Sequence, residues 1–133
     1  MSSVRTANVK RMSIHVLALR GAITLDFDER DHLLERVERL LGEMIERNSL
    51  SHDDLISILF TATPDIHSVF PAVAARQMGL GDVPLICAQE LSIDGSMPLC
   101  IRVLIHTNTE LTRDELRHVY LEEARTLRDD LAE

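Results

Sequence analysis

The sequence predicts an α+β domain, a mixed or antiparallel β-sheet with two main helices packed on one face. Three observations lead there. Apolar runs of strand length alternate with two stretches of helical character, and helix is the minority. The length of 133 residues, 45% of them apolar, suits a single core. No internal repeat, linker or low-complexity segment divides the chain. Residues 13–133 are therefore read as one domain. Residues 1–12 are polar and basic with no apolar segment behind them, and read as a flexible extension rather than a secretory signal.

The elements follow in order. Residues 14–20 alternate as a strand, with Ile14, Val16, Ala18 and Arg20 on one face and His15, Leu17 and Leu19 on the other. Gly21 follows at once and suits a bulge or a close backbone approach. Residues 29–47 carry one apolar stripe (Leu33, Leu34, Val37, Leu40, Leu41, Met44, Ile45) at helical spacing. Asp26, Asp28, Glu29 and Asp31 crowd its start, where the helix dipole favours negative charge. Asn48 suits its end. Residues 55–62 read as a buried strand, broken by Thr63-Pro64-Asp65. A short helix is expected over 71–78, Pro71 being tolerated in its first turn and Gly79 and Gly81 ending it. Residues 83–88 and 99–107 read as the third and fourth strands, with a turn at Asp94-Gly95 between them. Thr112-Arg113-Asp114-Glu115 has capping-box spacing and predicts one helical turn. A four-stranded sheet covered on one face leaves the other open. The fourth strand is apolar on both sides apart from Arg102, so that second face is expected to pack against another copy of the chain.

Composition narrows the function. A net charge of −8 lacks the basic field that nucleic acid or anionic lipid requires. No apolar run approaches the ~18 residues of a membrane span. Lys10 is the only lysine, so any anion site is built from guanidinium groups. Aromatic residues are few, Phe27, Phe60, Phe70 and Tyr120, which leaves the core to Leu, Ile, Val and Ala. Cys87 and Cys100 lie inside apolar runs and form no CxxC pair, which reads as buried free thiols in a cytoplasmic protein.

Three charged residues fit poorly in a simple core. Arg102 sits mid-strand between Ile101 and Val103, with Cys100 and Leu104 on its own face. A desolvated guanidinium there needs a carboxylate or an anionic ligand. Glu90, directly after the third strand, is the natural counterpart, and the pair is either structural or lines a polar pocket. Arg20 repeats the signal at the end of the first strand. The six histidines, His15, His32, His52, His67, His106 and His118, show no metal-ligand spacing, and no nucleophile, phosphate-binding or dinucleotide motif is present. The residues alone therefore point to a small oligomeric domain with an arginine-lined pocket suited to a small carboxylate. They do not name a reaction.

The runs LRGAIT (19–24), FTATPDIHSVFPA (60–72), VPLICAQE (83–90), CIRV (100–103) and RHVYLEEARTLR (117–128) resemble the AroH-class chorismate mutases, in that family's order and near its spacing, across about residues 14–130. The resemblance implies a pseudo-α/β-barrel homotrimer with active sites in the subunit clefts. It implies an isomerase of aromatic amino-acid (Phe/Tyr) biosynthesis, in the shikimate pathway, that rearranges chorismate to prephenate with no cofactor and no metal. It assigns Arg102 to the ether oxygen of the breaking bond, Arg20 and Tyr120 to the side-chain carboxylate, and Glu90 to the ring hydroxyl. It places Cys87 beside that hydroxyl, Phe70 and Ala72 in the pocket wall, Arg76 at its mouth, and Leu127 and Arg128 in a segment closing over the site. Two positions depart from the family pattern, Val73 where a lysine is frequent and Ile86 where a threonine is frequent. Two alternatives follow: a non-catalytic trimeric module that binds a small carboxylate, and a different small-molecule enzyme on a similar trimeric fold, such as an enamine/imine deaminase.

Overall fold

The chain alternates strand and helix because its apolar spacing does. The computed structural model describes residues 14–131, with side chains through residue 127; the expected extension over 1–12 lies outside the described residues. Strand β1 spans His15–Thr24, helix α1 Arg30–Arg47, β2 Leu55–Ala62, α2 Ala72–Gln77, β3 Leu85–Gln89, β4 Cys100–Thr109 and β5 Val119–Leu121. Single 3₁₀ turns lie at His52–Asp54 and Arg113–Glu115, and a longer 3₁₀ segment, Glu122–Leu131, is the last described element. The Thr112 capping box forms as its spacing predicts.

The strands make one mixed sheet in the order β3-β2-β4-β1-β5. β4 runs antiparallel to both β1 and β2, whereas β5 runs parallel to β1 and β3 parallel to β2. The sheet thus has five strands rather than the four expected. The fifth is only three residues long, too short to show an alternation pattern in sequence.

β1 also continues four residues beyond the expected end, through Gly21 to Thr24. Gly21 is the reason. A Cβ there would come within 2.9 Å of Met44 Cε and closer still to its sulfur. The glycine therefore keeps the strand straight while α1 packs directly on it. Only a residue without a side chain permits that approach.

Period-two alternation puts Leu19 and Ile23 of β1, Ile58 and Phe60 of β2, and Ile101, Val103 and Ile105 of β4 on one face, all almost fully buried. The stripe of α1 (Leu33, Val37, Leu40, Leu41, Met44) and the small residues Ala72, Ala74 and Ala75 of α2 cover them. Both helices lie on this face, as the sequence predicts. Glu29 caps α1 through its carboxylate, which accepts from the Asp31 and His32 backbone N–H groups.

The other sheet face is open over much of its area. Val16 and Ile86 are each 63% exposed in the single chain. One end is nonetheless covered by the chain itself. Ala22, Cys100 and Ala124 form a second small buried cluster with Met97, Tyr120 and Leu127 around it. The C-terminal segment reaches this position through Glu122, whose φ of 57° turns the chain sharply after β5. Arg36 and Arg39 of α1 hold the Glu122 carboxylate there, and Thr24 Oγ1 accepts from the Glu123 backbone N–H at 3.0 Å.

Candidate functional site

Arg20, Leu59, Thr61, Glu90, Arg102, Leu104, Tyr120 and Leu127 line a cleft of about 320 Å³ on the open face. Each is delivered by register. In the antiparallel ladders Arg102 lies opposite Ala22 on one side and Thr61 on the other. Both neighbours are small, which leaves room above the sheet for the guanidinium. Arg20 lies opposite Leu104, and Ala22 pairs with Tyr120 across the parallel β1–β5 ladder. β5 therefore brings the phenol to the same end as the two arginines. Glu90 sits one residue past β3, where its backbone N–H donates to Ala62 O at 2.9 Å.

The charges are arranged in a simple way. The nearest approach of Arg102 to Glu90 is Nε to Oε2 at 3.4 Å. Thr61 Oγ1 donates a hydrogen bond to the same Oε2. The Arg102 side chain is 52% exposed in the single chain and Glu90 27%. The expected desolvation of Arg102 is thus not supplied by its flanking strand residues, because the face they share is open. The guanidinium is not neutralised in a core. It stands in a cleft, with Nε its closest atom to the carboxylate.

Neighbouring groups keep the protonation states plain. Burial raises the Tyr120 phenol above its ordinary range, partly offset by the nearby positive charges of Arg20 and Arg102, so it serves as a neutral donor. Burial pushes the Cys100 thiol to about 11, with Arg102 opposing and Glu90 adding to the rise, so it stays an uncharged buried thiol. His118 Nδ1 accepts from the Arg20 backbone N–H at 2.9 Å and ties the middle of β1 to the approach of β5. Burial, then the charge of Arg20, holds its imidazole below the usual value, so it remains neutral.

The remaining predicted residues lie elsewhere in the single chain. Phe70 and Cys87 line a separate cavity of about 490 Å³ with Thr63, Ile66, Val69 and Pro71. Cys87 is in register with Phe60, on the face opposite Arg102. Ile86, in register with Leu59, shares the open face. Phe70 is 70% exposed, whereas Ala72 is buried in its own core. Val73 is half-buried and Arg76 exposed, both on α2, away from the cleft. Leu127 borders the cleft, and the Arg128 side chain lies outside the described residues. One residue was missed in sequence. Thr61 reads as part of an apolar run, and its only signal is that a hydroxyl stands there on the Arg102 face.

The comparisons agree with one another. The model of the family described as chorismate mutase type I matches residues 16–131. The chain is 40% identical over 118 residues to chorismate mutase AroH of Bacillus subtilis (strain 168), covering 88% of this chain and 93% of that protein. It is 45% identical over 117 residues to chorismate mutase AroH of Thermus thermophilus, covering 87% and 96%. A solved chorismate mutase from Clostridium thermocellum superposes with a TM-score of 0.82 at 43% identity, covering 84% of this chain and 99% of that one.

Proposed function

Because this chain belongs to the type I chorismate mutases, we propose how it converts chorismate to prephenate and with what assembly. The enzyme is an isomerase. Its reaction breaks a C–O bond as a C–C bond forms within one molecule, and needs neither proton transfer nor a covalent intermediate. The protein's tasks are to hold the flexible substrate in its compact reactive shape and to set fixed charge where charge develops.

Arg102 performs the second task. As the ether C–O bond stretches, negative charge gathers on the oxygen, and a permanently charged guanidinium donates to it. The single observation that carries this reading is the geometry of Arg102, mid-sheet in a cleft with Nε as its closest atom to Glu90, 3.4 Å from Oε2. The guanidinium then turns its Nη groups to the ligand. Glu90 accepts from the ring hydroxyl and faces the ring, which becomes electron-poor. Arg20 binds the side-chain carboxylate with help from the Tyr120 phenol.

The working assembly is a homotrimer with a pseudo-α/β-barrel core. Its support is the open face, where Val16 and Ile86 stand exposed. A second copy on this face covers apolar surface and desolvates Arg102. It also brings the second group of residues to the cleft: Phe70 as wall, Arg76 at the mouth, and the Ala72 and Val73 segment through its backbone. Ile86 completes the wall near the hydroxyl, Cys87 borders it through its backbone because its side chain lies on the other face, and Leu127 and Arg128 close over the top. Val73 in place of a lysine weakens substrate capture while leaving the chemical step. Residues 13–133 act as one cytoplasmic domain. No helix among the described residues is long and apolar enough to cross a membrane.

Purified protein mixed with chorismate should consume it and form prephenate, with a solution mass of three chains. Tight binding without turnover would instead favour a non-catalytic carboxylate-binding module.

A further inference from the structure

We propose that Thr61 is a positioning residue whose hydroxyl holds the Glu90 carboxylate in place, so that Arg102 stays free to meet the substrate; this rests on the roles of Glu90 and Arg102 proposed above. Glu90 stands just beyond the last paired residue of β3, before a loop whose Leu91 and Ile93 are exposed. Its backbone is tied to Ala62 on the β2 side. The side chain has no strand beyond it to limit its swing. A mobile carboxylate beside a guanidinium tends toward a bidentate pair, two parallel N–H···O bonds. That pair would occupy the donors that the breaking bond needs.

Thr61 prevents the collapse. It lies on β2, opposite Arg102 in one ladder and opposite Ala88 in the other, so its hydroxyl is on the shared face between the two charged groups. It donates to Oε2, the same oxygen that approaches Arg102 Nε at 3.4 Å. The hydrogen bond and the closest approach of Arg102 therefore fall on one carboxylate oxygen, and in this proposal Oε1 accepts from the substrate. A β-branched side chain in a strand has a restricted χ1, which makes the donor's direction a property of the backbone. Hydrogen bonds to ionised acceptors are also the stronger kind.

The test is a double-mutant cycle on kcat and KM for chorismate, with Thr61→Val, Thr61→Ser, Glu90→Gln and the Thr61→Val/Glu90→Gln double variant. Thr61→Val should lower kcat about 10-fold or more with KM changed less than ~3-fold, and Thr61→Ser should stay within about 3-fold of wild type. In the Glu90→Gln background, Thr61→Val should cost less than about 2-fold, because the group it positions is gone. An undiminished Thr61→Val loss in that background overturns the proposal, since the hydroxyl would then act without Glu90. Unchanged Thr61→Val kinetics beside a crippled Glu90→Gln overturn the positioning role alone. Unchanged Glu90→Gln kinetics overturn the role of Glu90 and this proposal with it. Thr61→Ala completes the same cycle if the valine variant does not fold.

Discussion

Replacing Arg102 with alanine should separate catalysis from folding, because the structure assigns the side chain almost nothing to do for the fold. Its side chain is 52% exposed in the single chain and comes nearest to one carboxylate, 3.4 Å from Nε to Glu90 Oε2. An exposed pair of that kind contributes about 0–1 kcal/mol to stability. Its proposed catalytic share is larger. Removing one preorganised donor from a developing oxyanion costs about 3–4 kcal/mol, which is about 10²–10³ in rate. Arg102→Ala should therefore lose at least ~10²-fold in kcat while its denaturant midpoint moves little. Arg102→Lys should recover only part of the loss, because one compact ammonium cannot reproduce the guanidinium fork. The assay follows chorismate disappearance, with unfolding measured on the same preparations. Near wild-type turnover in a folded Arg102→Ala variant would remove this residue from the chemistry.

Two further predictions concern the elements that place the site. Gly21→Ala should destabilise the fold by about 1–3 kcal/mol in urea titrations, because its methyl collides with the buried Met44 side chain. Shortening the obstacle in a Gly21→Ala/Met44→Ala double variant should make the two costs non-additive. His118 predicts a pH dependence. Its imidazole titrates lower when folded than when unfolded, chiefly by burial, so the unfolded chain binds the proton more readily. The His118 contribution should be fully present above about pH 6.5 and be lost as pH falls through the folded value. His118→Asn, which keeps an acceptor for the Arg20 N–H but cannot titrate, should flatten that part of the stability profile. An unchanged slope would show that His118 does not carry it.

Much of this arrangement is legible in the residues, and what is not has physical reasons. β2 begins and ends where its apolar run and the Thr63-Pro64-Asp65 break place it, and α1 lies within one residue of its expected span. Alternation and strand ends name Arg102 and Glu90 as counterparts, but their approach depends on the sheet order, in which β2 lies between β3 and β4. β1 runs long because glycine, usually a weak strand residue, is here the only fit against Met44. β5 escapes notice because three residues cannot display a period. Only its pairing with Gly21, Ala22 and Ile23 makes it a strand. Thr61 escapes because an isolated hydroxyl in an apolar strand has no meaning until the register sets it beside Glu90. The separation of Phe70 and Arg76 from the arginine cleft could not be read either, since it depends on which surfaces a single chain leaves open.

A site shared between subunits is tested most directly by complementation. On the proposed trimer, Arg102→Ala and Arg76→Ala damage different halves of that site, so mixed trimers made by co-expression should contain some clefts built from two intact halves. Activity of the mixture should rise well above the sum of the two variants assayed apart. A mixture no more active than that sum, with subunit exchange verified by mass, would place the whole site within one chain.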